Sequence, residues 1–375
     1  MKIALIEKGH FEVAYTLLSL FDDGQNQITV FIDQDSYHQL EMMLGNKISE
    51  YTWVVQQFGE PNRGFITRMF KILQEENFDL YYFDTIEDNF IVYANWLQRL
   101  NSHKTILTLH DINAFFEYKP ALSIRRLVRY WGKRKLMKLI PRFNVLSETM
   151  KTYLESKLPS SKKVFNISGS FFDPETYTPL DFSAGDRLKL AIPGSIDRRR
   201  RNYDRVFDLL AEADRQNFNI KITLLGTFKK GFSEQILERC REHQKENNNL
   251  VIFHTPVVDQ PEFDRVINES HFIWMPLQQN TMIADGVLET YGRSTTSGNI
   301  ADAIRHARPF FVPAHLSLDN DLEKACTRYT DFKELAGVLK AMTPERYQAL
   351  QQNAYQASLR YTKENIILRN ADLFK

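Results

Sequence analysis

At 375 residues the chain is longer than one hydrophobic core usually serves, so two domains are expected. A balance of 48 Lys and Arg against 47 Asp and Glu excludes the strong basic field of a general nucleic-acid binder. Two distant cysteines, Cys240 and Cys326, exclude a zinc ribbon or disulfide scaffold and fit a reducing, cytoplasmic compartment.

The opening run "KIALIE" reads as a first strand rather than as the core of a signal peptide. No later run approaches the ~18 apolar residues of a membrane span. "QITVFID", "DLYYFD", "KTILTLHD" and "FNVLS" follow as strands in the first half, with helical patterns such as "FEVAYTLLSLF" and "FITRMFKILQEE" between them. The stretch "FFDPETYTPLDFSAGDR", 171–187, breaks this rhythm with two prolines and a glycine and reads as a linker. "LKLAIPG", "IKITLLG", "LVIFHTP", "HFIWMPL" and "PFFVP" then continue as strands, with "YDRVFDLLAEADRQ" as a helix. Alternation of this kind predicts βαβ units and parallel sheets. The expected α/β architecture is two doubly wound, Rossmann-like domains, 1–172 and 188–355, joined by a linker at 173–187. A helix over 356–375 packs back toward the first domain and braces both.

In open parallel sheets, ligands sit beyond the carboxyl ends of the strands. Those ends carry Gly9-His10, Asp84-Thr85, His110-Asp111, Gly194-Ser195, Gly226-Thr227, Pro256-Val257 and the loop Tyr291–Asn299. Facing loops of two domains would form the working cleft. "IPGSIDRRRRNY" places four arginines, Arg198 to Arg201, just after a Gly-Ser strand exit, and guanidinium grips phosphate oxygens well. Ser297, Gly298 and Asn299 open a helix whose positive end suits an anion, and Asp302 one turn in could accept from a ribose diol. The bland readings are a solvated arginine run and ordinary turn and cap residues. Together the two features point to a nucleoside diphosphate.

The segment from Lys119 to Arg142 holds nine basic residues and no acidic one, interleaved with Leu127, Tyr130, Trp131, Leu136, Met137 and Ile140. A basic helix with apolar residues can lie on an anionic membrane surface; the alternative is a solvated helix whose apolar stripe packs inward.

"LAIPGSIDRRRRNYDRVFDLLAEA", "IKITLLGT", "LVIFHTPVVDQPEFDRVINESHFIWMPL" and "YGRSTTSGNIADAIRHARPFFVP" occur in the order seen in nucleotide-sugar glycosyltransferases of the GT-B fold. "TILTLHD", "FNVLSETMKTYL" and "SGSFFDPETYTP" agree in the first half, and the chain most resembles the retaining bacterial type. The resemblance implies that Gly194, Ser195 and one or two of Arg199, Arg200 and Arg201 hold the donor diphosphate, with Arg200 and His110 as the catalytic pair of residues. His110 would touch the donor sugar, and Val257 and Val258 would contact the base through their backbone. Thr227, Ser297, Gly298, Asn299 and Asp302 complete the donor side; Gly9 and His10 belong to the acceptor side.

The family carries two glutamates separated by seven residues here. Asp302 aligns with the second and Ser294 with the first, so a carboxylate is missing unless a rearranged loop brings in Glu289. His10 with Glu12 reads either as an acid/base pair or as a helix start. The triplets Asp33-Gln34-Asp35 and Asp319-Asn320-Asp321 match a metal-nucleotide pattern of the other main glycosyltransferase fold, but such triplets arise readily in polar turns. No His/Cys cluster has metal spacing and no G-x-S-x-G elbow exists.

The expected activity is metal-independent sugar transfer, hexosyltransferase-like, without cofactor, from a nucleotide-sugar to a glycan or lipid-linked acceptor. It fits bacterial cell-surface polysaccharide or glycoconjugate synthesis in the cytoplasm, at the inner face of the membrane. The alternatives are a non-catalytic binding or scaffold subunit and a GT-B sugar-nucleotide epimerase.

Overall fold

A computed structural model describes residues 1–120, 123–255, 257–282 and 285–374. Pro256 and residues 121 and 122 of the basic segment therefore lie outside the described residues.

The first half alternates β1 (Lys2–Ile6), α1 (Phe11–Phe21), β2 (Gln27–Ile32), α2 (Gln34–Leu44), β3 (Thr52–Val55) and α3 (Asn62–Glu76). It continues with β4 (Leu80–Phe83), α4 (Phe90–Leu97), β5 (Thr105–Thr108), α5 (Ile112–Phe116) and α6 (Ile124–Leu139). β6 (Arg142–Val145), α7 (Glu148–Glu155) and β7 (Lys163–Asn166) complete it. The strands form one parallel sheet in the order β3-β2-β1-β4-β5-β6-β7. β1 pairs on both sides, Ile3 lying opposite Ile28 and Leu80, and is buried on both faces because helices cover them. That is why "KIALI" is continuous rather than alternating.

The second half runs β8 (Leu188–Pro193), α8 (Asp204–Gln216), β9 (Ile220–Leu225), α9 (Glu234–Glu246), β10 (Leu250–Ile252), α10 (Gln260–Asn268) and β11 (Phe272–Trp274). A two-stranded hairpin, β12 (Asn280–Thr281) and β13 (Glu289–Thr290), precedes α11 (Gly298–Arg305) and β14 (Phe310–Pro313). β15 (Cys326–Tyr329), α12 (Phe332–Lys340), α13 (Pro344–Ser358) and α14 (Lys363–Arg369) close the chain. The second sheet is parallel, in the order β10-β9-β8-β11-β14-β15. Capping starts α13: Thr343 accepts from the Arg346 amide at 3.2 Å, and Pro344 begins the helix where no amide is needed.

Three edge elements, β3, β7 and β15, were not among the expected strands. Each has four residues and an incompletely buried face, so none carries the apolar run that marks the central strands. The linker is packed rather than loose: Tyr177 lies 4.9 Å from Tyr355, and Leu180 accepts from the Gln351 side chain at 2.9 Å. Phe171 belongs to the first domain's core and Phe172 to the second's. The chain recrosses after Tyr361, whose carbonyl accepts from the Phe172 amide at 2.9 Å. Ile366 then packs into the first core, and the Phe374 ring lies 4.8 Å from Phe21.

Candidate functional site

The carboxyl ends of both sheets open onto one cleft of about 1380 Å³ between the domains. In the first sheet the strand order reverses beside β1, and the loops after β1, β4 and β5 line the crevice there. The second domain contributes the loop after β8 and the start of α11.

The structure brings together Gly9, His10, His110, Gly194, Ser195, Arg200, Arg201, Ser297, Gly298, Asn299 and Asp302 along this cleft. Gly194 has φ +86°, a conformation side chains rarely adopt, and an added Cβ would sit 3.0 Å from the Arg201 guanidinium. The arginine run divides by partner. Arg199 is held by Asp197 at 2.6 Å and lies over the Phe232 ring. Arg201 is buried and donates to the carbonyls of Ser195 and Pro193 and to Asn299 Oδ1, each at 2.7 Å. Among the described residues the Arg200 guanidinium has no hydrogen-bond or ion-pair partner, and it borders the cleft. It is the arginine free to meet an anion.

Asn299 spends its side chain internally, since Nδ2 donates to the Pro193 carbonyl at 2.7 Å and Oδ1 accepts from Arg201. Ser297 caps α11 by accepting from the Asn299 amide. These two residues lock the helix start against β8, leaving exposed Gly298 as the small residue on the cleft. Loss of solvation pushes the Asp302 carboxyl up to about 7, and Glu12 across the cleft adds to the shift.

On the opposite wall the His10 and His110 rings stack at 4.4 Å. Burial, with His110 adding, lowers His10 to about 4 and keeps it neutral. Asp84 Oδ2 lies 3.6 Å from His110 Nε2.

Arg199, Thr227, Val257 and Val258 do not line the cleft. Val257 is exposed, and the Thr227 carbonyl accepts from the Ile196 amide. Asp33 caps α2 through the Ser36 amide, and Asp319 accepts from the Glu148 and Thr149 amides of the other domain. Asp321 pairs with Arg360. Both Asp-x-Asp triplets thus have structural duties, although Asp33 and Asp35 also border the cleft. Among the described residues no group of three or more His, Cys, Asp or Glu is arranged to hold a metal ion.

Sequence reasoning missed what Glu289 does. It is fully buried and does not line the cleft, accepting from the amides of Asn113 and Ala114 at the start of α5. Ser294, also buried, accepts from Asn113 Nδ2, and its carbonyl accepts from the Ile112 amide. Near the tip of the β12–β13 hairpin, Asp285 pairs with Arg129 at 2.7 Å and with Lys133 on α6. The hairpin therefore reaches from the second domain and clasps the first. A short "LET" between turns gives no hint of this at the level of sequence.

Helix α6 is held close by Gly132, where a Cβ would meet the Ile91 amide at 2.4 Å. With that face against α4, Ile124, Leu127, Val128 and Trp131 emerge together on the other, Ile124 83% and Trp131 59% exposed. Arg125, Arg126, Arg134 and Lys138 are exposed on the same helix.

Two Rossmann-like domains with parallel sheets, an interdomain cleft and a returning C-terminal helix define the GT-B architecture. Solved structures of that fold align along the full chain. The Anabaena protein HepE in complex with UDP-glucose has a TM-score of 0.67 at 14% identity, covering 99% of this chain and 98% of its own. Sucrose-phosphate synthase from Thermosynechococcus elongatus gives 0.65 at 13% identity, covering 100% and 98%. The pneumococcal O-GlcNAc transferase GtfA, in complex with UDP and GlcNAc, gives 0.63 at 10% identity, covering 100% and 98%. No family model and no curated protein matches the sequence.

Proposed function

We propose that the protein is a glycosyltransferase that moves a sugar from a nucleoside-diphosphate donor to an acceptor held mainly by the first domain. The observation that carries this is the Arg200 guanidinium, without a partner among the described residues, on the same cleft as Gly194 and the start of α11, three features that suit one diphosphate. HepE and GtfA were solved with UDP-glucose and with UDP and GlcNAc, which supports the same donor class here. Arg200 and the helix end would stabilise the charge growing on the departing diphosphate, an electrostatic contribution that needs no metal. A donor screen read by nucleoside diphosphate release tests the proposal; no release from any sugar nucleotide, with acceptors supplied, would remove it.

The second reading, a non-catalytic binding subunit, draws on Ser294 at the expected glutamate position and on Glu289 turned to α5. Tight nucleoside diphosphate binding without donor turnover or slow hydrolysis would favour it. An epimerase would instead convert the donor sugar with no acceptor present.

The acceptor side of the reading is a glycan or a lipid-linked carrier met at an anionic membrane surface, in cytoplasmic glycoconjugate synthesis. The exposed apolar and basic face of α6 supports it, through charge complementarity with anionic headgroups. The same helix carries Arg129 and Lys133 on the cleft wall, so a docked α6 would bring the cleft to the lipid. Among the described residues no helix is long and apolar enough to cross a membrane.

A further inference from the structure

Arg129 and Lys133 lie one turn apart on α6, and both border the cleft. Lys133 is 1% exposed, with its ammonium 4.8 Å from the Phe90 and Tyr118 ring centres and 5.2 Å from that of Phe115. Nζ donates at 2.7 Å to the Ala114 carbonyl on α5, the helix that starts just after His110 and Asp111. A buried ammonium needs a counter-charge, and the Asp285 carboxylate supplies it from the second domain. Arg129 turns to the same group. Its Nε lies 2.7 Å from Asp285 Oδ1 while Lys133 takes Oδ2, so each oxygen has its own cation. The Arg129 Nε–H is buried and makes no hydrogen bond among the described residues, because the carboxylate is close but off its axis.

Two positive charges thus face one negative charge, with a buried donor left over. A phosphate monoester answers both shortfalls, since it brings a second charge and a third oxygen to the same two cations. The hairpin does not depend on Asp285 for its place. Its base is held by Glu289, which accepts from the Asn113 and Ala114 amides, and by the Leu288 carbonyl, which accepts from Asn113 Nδ2 at 2.9 Å. Rotation of the Asp285 side chain would free both cations with that base in position.

We propose that Arg129 and Lys133 form an acceptor-side subsite for a phosphate group, and that Asp285 is a tethered carboxylate that fills it until an acceptor arrives. The inference rests on the glycosyltransferase reading, and the acceptor it implies carries a phosphate. The subsite is on the first-domain wall of the cleft, apart from Arg200 and the start of α11 on the second, so donor and acceptor phosphates have separate cations. A lipid-linked carrier and a soluble sugar phosphate share this chemistry. Phosphate is held here and no bond to it is made or broken.

The test is a calorimetric titration of the full chain with methyl phosphate, in an Arg200→Ala background that removes the donor-side arginine from competition. Adding Asp285→Ala empties the subsite and should tighten methyl phosphate binding by about tenfold or more, the scale of one charged hydrogen bond. Methyl sulfate, of similar shape but singly charged, should gain less. Adding Arg129→Gln to Asp285→Ala should abolish the gain, as should Lys133→Met. Where Lys133→Met does not fold, Arg129→Gln at a partly exposed residue still decides. Unchanged affinity in Asp285→Ala, or a gain that survives Arg129→Gln, overturns the subsite. Sedimentation with phosphatidylcholine vesicles containing phosphatidic acid separates the sources. A matching gain on vesicles, lost in Arg129→Gln, supports the subsite with a lipid-linked acceptor; a gain with methyl phosphate alone supports it with a soluble sugar phosphate. The titration needs no donor turnover, so a silent donor screen beside a positive titration removes the transferase reading and leaves the phosphate site standing.

Discussion

Glu289 Oε1 accepts from the Ala114 amide at 2.7 Å, so a carboxyl of the second domain caps a helix of the first. Burial pushes this carboxyl up from its ordinary 4.5 to about 7, against the opposing pull of Ser294 and the two amides. The folded protein therefore holds the proton more tightly than the unfolded chain. The stability this group contributes is whole below about pH 4.5 and is lost as pH rises through about 7. Calorimetric melting temperature should fall across that window, with a shallower fall in Glu289→Gln. Glu289→Ala strands two buried amides and should cost about 1–3 kcal/mol. Identical pH dependence in parent and Glu289→Gln would show that the cap is not titrating.

The arginines should separate by partner. Arg200→Ala should weaken nucleoside diphosphate binding by about 1.5–3 kcal/mol, the scale of a charged hydrogen bond. Arg199→Ala, already committed to Asp197, should change affinity little, and Arg201→Ala should mainly lower the melting temperature by untying Ser195, Pro193 and Asn299. Calorimetric titration with UDP and with GDP checks this. Loss of affinity in Arg199→Ala equal to that in Arg200→Ala would refute the division.

Asp302→Asn distinguishes a ribose contact from a structural role. A ribose contact predicts about 1.5–3 kcal/mol of lost nucleotide affinity with the melting temperature kept. An altered melting temperature with unchanged affinity would assign Asp302 a structural role alone.

The membrane-facing role proposed for helix α6 is tested with vesicles. Co-sedimentation with anionic vesicles should exceed that with neutral ones and fall as salt rises, because surface charge is screened within ~8–10 Å at physiological ionic strength. Leu127→Ser with Trp131→Ser should reduce it further. Equal sedimentation with neutral and anionic vesicles would return the helix to a solvated role.

Excess EDTA should leave activity on the correct donor intact. Activity lost on chelation and restored by Mg²⁺ or Mn²⁺ would instead give Asp33 and Asp35, on the cleft wall, a metal role.

The sequence by itself determined the central strands, because a strand covered by helices on both faces is apolar along most of its length, as in the "IALI" of β1 and the "LAIP" of β8. It also placed the loops at the strand ends, and with them Gly194, His110 and the arginine run. Edge strands β3, β7 and β15 escaped it, since a half-exposed four-residue strand has too little pattern to separate from a turn. Which arginine stays free was decided only by the folded structure: Arg199, Arg200 and Arg201 are identical in type and adjacent, and Asp197 in the same turn claims one while Asn299, far along the chain, claims another. The same holds for Glu7 and Asp84. Their place at neighbouring strand ends depends on β1 pairing with β4 although the two residues are 77 positions apart in the chain, and a carboxyl's charge is set by what burial places beside it.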